Sequence, residues 1–144
     1  IFTIMNQITI FILRNLAKLS FSVLLFLWTS CSQDFGEFPY ESQRMSQYSK
    51  VITIPKQGCS GCISGATEYV IKSIDSLADK NVAVVFTDIN DTKELQLILG
   101  EEVLEKSNLY IDEVGVIAAK FPSIYPQVFQ MDKSRIISHK IFEN

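Results

Sequence analysis

Two short apolar runs with a helical segment between them constrain the fold more than any other feature of this sequence. The runs are VITIP at 51–55 and NVAVVFTDI at 81–89, both rich in β-branched residues and typical of strands buried on both faces. From about Cys59 to Asp79, apolar residues recur at spacings of three and four, as they do along one face of a helix. Because a strand, a helix and a strand in this order form a right-handed crossover, we expect the two strands to be parallel.

The chain beyond residue 90 adds a second helix and a hairpin to this parallel pair. Asp91, with Glu94 three residues later, predicts the start of a helix that ends near Lys106. The segment 108–121 is ambiguous and is interpreted as a short strand and a connection. The segment 122–142 contains two β runs joined at DKS, and so short a joint indicates a hairpin. The predicted fold class is therefore α/β, with a mixed sheet that combines a parallel βαβ part and a C-terminal antiparallel hairpin.

Residues 1–30 have the features of a secretory signal peptide. Arg14 and Lys18 form its basic region, and the apolar stretch FSVLLFLW at 21–28 is followed by small residues. The stretch is too short to span a membrane as a helix, which needs about 20 apolar residues. We therefore expect residues 1–30 to be removed on export.

The junction LWTSCS resembles the lipobox of bacterial lipoproteins. Thr29 and Ser30 precede Cys31 as small residues do in that family, although Trp28 replaces the usual aliphatic residue. The resemblance implies that Cys31 is diacylated on its thiol, becomes the new N-terminus and holds the protein on a membrane. Ser32 resembles the residue found in lipoproteins sent to the outer membrane, so we expect a periplasmic or outer-membrane lipoprotein of the bacterial cell envelope. The alternative is an ordinary signal peptide whose cleavage leaves Cys31 as a free thiol.

Residues 31–50 are expected to form this lipidated N-terminus and a flexible tether, and residues 51–144 the folded domain. The tether segment is polar, rich in Ser and Gln, and has no apolar period of two or 3.6. Alternatively, its aromatic residues dock on the domain; these are Phe35, Phe38, Tyr40 and Tyr48. The chain has no basic run and carries 16 acidic against 13 basic residues, so we expect no nucleic acid partner.

The pair Cys59 and Cys62 lies where a strand ends and a helix begins. Free backbone N–H groups and the positive end of the helix dipole favour a thiolate at Cys59, which lowers its pKa from about 8.5. Cys62 lies one turn deeper in the helix, close enough to form a disulfide and more buried. Cys59 is therefore the candidate attacking thiolate and Cys62 the candidate resolving thiol in disulfide exchange.

From residue 51 to residue 142 the sequence resembles a thioredoxin-fold protein. The resemblance is carried by VITIP, the CSGC centre, VAVVFTD, the helix TKELQLILGEEVLEK and the segment YPQVFQMDKSRII. It implies a three-layer thioredoxin-like domain that exchanges disulfides with protein thiols or disulfides, as a monomer and without a cofactor or metal. It also implies that Pro126 is cis and faces CSGC, and that Tyr125 offers its backbone groups to a bound substrate.

Several positions depart from the thioredoxin pattern. No strand and helix precede VITIP, unless the tether supplies them, and no tryptophan precedes Cys59. Thr53 stands where the family has a buried acid, so proton transfer from Cys62 would need water or another group. These departures leave a second hypothesis, in which the domain is a non-catalytic binding module or a redox sensor.

Two other interpretations of the cysteine pair compete with disulfide exchange. GCSGCISGATEYVIKSI resembles the heavy-metal-associated domain, in which two thiolates hold a soft ion such as Cu(I), but that family has a hairpin where this sequence predicts a helix. A zinc site would need further ligands, and His139 is the one histidine of the chain. A purely structural disulfide is the last alternative, although closing so short a loop stabilises little.

Overall fold

The computed structural model describes residues 34–143, so the predicted signal peptide over 1–30 and the predicted lipidation site Cys31 lie outside the described residues. In chain order the elements are α1 (Ser42–Met45), β1 (Lys50–Pro55), α2 (Ser60–Asp79), β2 (Val82–Thr87), α3 (Thr92–Leu99), α4 (Glu101–Leu104), β3 (Leu109–Asp112), α5 (Val116–Lys120), β4 (Gln127–Asp132) and β5 (Arg135–Ile141). Within residues 34–143, none of the helices is long and apolar enough to cross a membrane.

The strands form one mixed five-stranded sheet in the order β3-β2-β1-β4-β5. β2 pairs in parallel with both β1 and β3, whereas β4 pairs antiparallel with both β1 and β5. The parallel pair and the C-terminal hairpin predicted from the sequence are both confirmed. So is the α/β fold class, and the strand order and directions are those of a thioredoxin-like fold.

The helix α2 packs its predicted apolar stripe on one face of the sheet. The stripe consists of Ala66, Val70, Ile74 and Leu77, all buried. Together with α3 and α4 it covers strand residues that alternate along β1 and β2. This first core consists of Ile52, Ile54, Ala66, Val70, Ile74, Leu77, Val82, Val84, Phe86, Ile89, Leu95, Leu99, Val103 and Leu109.

The second predicted helix is interrupted at Gly100. It was expected to run without a break from Asp91 to about Lys106, whereas the structure has α3 and then the short α4. Gly100 adopts φ 80°, a conformation that glycine reaches easily and that ends an α-helix. The start of the helix is as predicted, because the Asp91 carboxylate accepts a hydrogen bond from the Lys93 N–H at 2.9 Å.

The edge strand β3 supplies the parallel neighbour of β2 from a later part of the chain. The ambiguous segment 108–121 therefore forms this strand and the short helix α5. Asp112 at the end of β3 is buried and accepts the first N–H groups of the α5 region from Gly115, Val116 and Ile117 at 2.9, 3.1 and 2.9 Å. One carboxylate thus fixes the turn and the helix start together.

Residues 34–49, which we call the N-terminal strap, lie across the other face of the sheet. The flexible tether predicted over 31–50 is therefore wrong for its described part, and docking of the aromatic residues is what the structure has. Phe38 and Met45 of the strap are buried in a second core, because the sheet and α5 alone leave apolar strand residues uncovered. That core contains Phe38, Met45, Val51, Ala83, Val85, Ile117, Phe129, Met131 and Ile136. The folded domain thus begins upstream of residue 51.

One end of the strap is attached to the C-terminal hairpin. The Phe38 ring packs edge-on against Phe129 with a centroid distance of 5.4 Å. Beside it, Glu37 forms an antiparallel bridge with Arg135, and the Phe38 N–H donates to the Ser134 carbonyl at 2.8 Å. Ring contact and backbone pairing therefore hold the same few residues.

The other end of the strap is attached to the edge strand β3. The Tyr40 hydroxyl donates to the Ile111 carbonyl at 2.9 Å, and the hydroxyls of Tyr48 and Tyr110 lie 2.9 Å apart. Burial raises the pKa of Tyr48, and its hydrogen bond with Tyr110 raises it further. The strap therefore spans the sheet from β5 to β3 and completes a third layer together with α5.

Candidate active site

Cys59 and Cys62 form a disulfide at the N-terminus of α2. Their Cα atoms lie 5.3 Å apart, and Cys59 is the N-cap residue of this 20-residue helix. The Cys62 N–H points at the Cys59 sulfur, with a nitrogen–sulfur distance of 3.4 Å. Both side chains are half-buried, so the pair is reachable from solvent while β1 and α2 hold it in place. The predicted placement at a strand-to-helix junction is confirmed.

The loop before β4 packs directly against the loop that carries Cys59. The Cys59 N–H donates to the Ile124 carbonyl at 2.9 Å. Gly58 has φ 149°, and a Cβ at this position would overlap the Ile124 carbonyl. The two loops can approach this closely because residue 58 has no side chain. The sequence analysis did not identify Ile124 or Gly58 as site residues, and the only available signal was the glycine immediately before CSGC.

Replacing Gly58 with alanine is expected to destabilise the protein by about 2 kcal/mol or more, because the new Cβ forces the two loops apart and the backbone into a strained conformation. Gly61→Ala is the matched control, since a Cβ at Gly61 meets nothing within 4 Å and alanine is the better helix former. Urea unfolding of both variants measures the difference. Equal stability of Gly58→Ala and the parent would contradict the close loop contact.

Tyr125 and Pro126 directly follow Ile124, whose carbonyl accepts the Cys59 N–H, but they do not have the expected conformation. The bond before Pro126 is trans, as are all peptide bonds within residues 34–143, so the expectation of a cis proline is wrong. Trans X–Pro bonds are favoured by about 0.5–1 kcal/mol. Here the trans loop is also held by Ser123, whose hydroxyl bonds both the N–H and the carbonyl of Tyr125.

The loop presents apolar side chains next to the disulfide. Ile124 is 57% exposed and Tyr125 is 38% exposed, whereas Pro126 is buried at the start of β4. Two exposed apolar side chains therefore belong to the loop whose Ile124 carbonyl accepts the Cys59 N–H.

Thr53 of β1 stands where the thioredoxin pattern has a buried acid, and two further buried polar side chains lie near it. Thr53, Thr87 and Gln127 are buried and line a cavity of about 10 Å³. A space of this size is about what a single water molecule occupies. Two hydroxyl groups and one amide group therefore occupy the place at which the thioredoxin pattern has a buried carboxylate.

No protein-family model matches the sequence, and no curated protein matches it. Among solved structures, the chain is similar to a hypothetical protein from Sinorhizobium meliloti at 16% identity and a TM-score of 0.44, with 69% of this chain matched and 60% of the length of that one spanned. It is also similar to the thioredoxin domain of a thiol-disulfide oxidoreductase from Bacteroides vulgatus at 16% identity and a TM-score of 0.44, over 67% of this chain and 72% of that one. The thioredoxin-like fold of the present chain follows from its own strand order and from the helix that starts at the disulfide.

Proposed function

We propose that the protein is a thiol-disulfide oxidoreductase of the bacterial cell envelope, exported and held on a membrane by lipid on Cys31. Its catalytic residues are Cys59 and Cys62, which cycle between dithiol and disulfide. The observation that carries the proposal is the position of the Cys59 sulfur at the N-cap of α2, facing the Cys62 N–H. Export and lipid attachment are supported by the sequence of residues 1–32.

In the reducing direction, the Cys59 thiolate attacks one sulfur of a substrate disulfide. A sulfur–sulfur bond forms between protein and substrate, and the other substrate sulfur leaves as a thiolate that takes up a proton. Cys62 then loses its proton and attacks the Cys59 sulfur, which releases the second substrate thiolate. The substrate disulfide gains two electrons and becomes a dithiol, while the protein dithiol becomes the Cys59–Cys62 disulfide. The oxidising direction is the same sequence reversed.

The loop of Ser123 to Pro126 is the proposed substrate-positioning element. Both backbone groups of Tyr125 are bonded to the Ser123 hydroxyl in the free protein. A substrate strand that pairs with Tyr125 would take over these bonds and release the hydroxyl to solvent. The exchange keeps the backbone groups paired throughout, so binding need not leave a buried polar group unsatisfied.

Cys62→Ser is expected to stop the cycle at the mixed disulfide. The variant retains the attacking sulfur but lacks the thiol that resolves the intermediate, so the reduced variant should accumulate a stoichiometric adduct with a peptide disulfide. Mass spectrometry under non-reducing conditions measures the adduct. Ser64→Ala, at an exposed position of the same helix, serves as the control and should give no adduct. Absence of the adduct in Cys62→Ser would contradict the assigned roles.

A further inference from the structure

An open apolar cavity of about 80 Å³ lies between α2 and α3, at the carboxyl ends of β1 and β2. In α/β sheets this edge is where ligands commonly bind, because the loops and helix starts there leave room between the elements. Apolar side chains from both helices and both strand ends line the cavity: Ile54, Ile63, Phe86, Ile89, Leu95 and Ile98.

The cavity is directly next to the disulfide in the chain and in the fold. Ile63 immediately follows Cys62, and consecutive Cα atoms are about 3.8 Å apart. On the other side of CSGC, Pro55 and Lys56 also line the cavity. A peptide joined through its cysteine to Cys59 can therefore place a side chain a few residues away into this space.

The charged groups that line the cavity already have partners within the protein. Asp91 caps α3 through the Lys93 N–H, and the Lys56 ammonium lies 3.5 Å from the Glu94 carboxylate. An entering group therefore meets mainly hydrocarbon. A cavity of about 150 Å³ holds the six carbons of benzene, so about 80 Å³ suits the three or four carbons of Val, Leu or Ile.

We propose that this cavity is a subsite for an aliphatic side chain of the substrate protein, located within a few residues of the substrate cysteine. The inference rests on the proposed function and specifies its substrate class. It predicts selectivity among protein thiols and disulfides, because exchange is faster where an aliphatic residue accompanies the cysteine. The subsite is separate from the loop of Ser123 to Pro126, which lies on the antiparallel side of β1.

The test uses disulfide-linked peptides that carry one leucine at a single position within four residues of the cysteine, with glycine and serine elsewhere. The reference peptide has alanine in place of the leucine and is otherwise identical. At the matching position we expect the leucine peptide to exchange with the reduced protein about ten-fold faster, as for other aliphatic groups in apolar pockets. The peptides contain no tryptophan. The exchange rate is measured by stopped flow, from titration of the thiol that the peptide releases.

Ile98→Glu should reduce this preference to nearly one, since it places a charge in the cavity wall. Leu97→Glu is the matched control: Leu97 is 88% exposed on the same helix and does not line the cavity, whereas Ile98 is 55% exposed and does. Leu97→Glu should exchange with dithiothreitol as the parent does, because its side chain lies outside the cavity. The preference of each variant is taken as its own ratio of leucine-peptide to alanine-peptide exchange rates.

The outcomes separate the two proposals. If no peptide exchanges with the reduced parent protein, the proposed function fails and the subsite with it. If leucine and alanine peptides exchange equally at every position, or if both glutamate variants lose the preference alike, only the subsite is overturned. If the parent is a dimer that Ile98→Glu dissociates in sedimentation experiments, the cavity is filled by a second copy and the subsite is likewise overturned.

Discussion

Replacing Phe38 with alanine is expected to destabilise the protein by about 3–5 kcal/mol, the range measured for truncating a buried phenylalanine. Phe38 is 1% exposed and lies against Phe129, at the centre of the core between the strap and the sheet. The loss is large because small domains have only about 5–15 kcal/mol of total stability. The same change also loosens the strap, because the Phe38 ring holds the segment whose backbone N–H bonds Ser134 of the hairpin.

Urea unfolding followed by circular dichroism measures this loss. Phe38→Leu keeps most of the apolar volume and should lose no more than about half as much. Val114→Ala is the surface control, because Val114 is 86% exposed and its truncation should change the free energy of unfolding by less than about 0.5 kcal/mol. A loss below about 1 kcal/mol for Phe38→Ala would mean that the strap does not contribute to the core.

From the sequence, docking of the strap was only the alternative to a flexible tether, because no local pattern encodes the contacts of the strap. Phe38 and Met45 are seven residues apart, but the positions three and four after Phe38 are the polar Glu41 and Ser42, so no sustained period of two or 3.6 links them. Their burial is decided by the second core, whose other members include Ala83, Ile117 and Phe129, far along the chain. By contrast, β1, α2 and β2 could be predicted. Each has a helical period or a β-branched run, and these local patterns indicate the element whatever it packs against.

The site divides in the same way. The position of Cys59 and Cys62 could be predicted from the local sequence. A strand ends before CSGC and a helix starts at it, so the pair must lie at the N-terminus of that helix. The contact between Gly58 and Ile124 joins loops some 65 residues apart and has no local signature. The trans conformation of Pro126 is the one that X–Pro bonds favour in general, and only the resemblance to thioredoxins implied cis. The break at Gly100 was visible as a glycine, but its φ was not.

Replacing Cys59 with serine is expected to abolish disulfide exchange, with a loss of at least about 10³-fold, because the variant lacks the sulfur that forms the mixed disulfide. We do not expect Cys62 to replace it, since Cys59 is the N-cap residue of α2 and Cys62 lies one turn further into the helix. The variant should still fold. The loop closed by the disulfide is so short that the disulfide contributes only about 2 kcal/mol to stability through the chain entropy of the unfolded state.

The chemical reason for this loss can be measured separately in the reduced protein. The N-terminus of α2 should hold the pKa of the Cys59 thiol below its ordinary value of about 8.5, so that the thiolate persists as the pH falls toward neutrality. The pH dependence of Cys59 alkylation by iodoacetamide, measured in Cys62→Ser, gives this pKa. Unfolding the same variant in urea removes the helix and should return the midpoint to about 8.5. A folded-state midpoint at or above the unfolded one would mean that the helix does not activate the sulfur, and the catalytic role of Cys59 would then lack its physical basis.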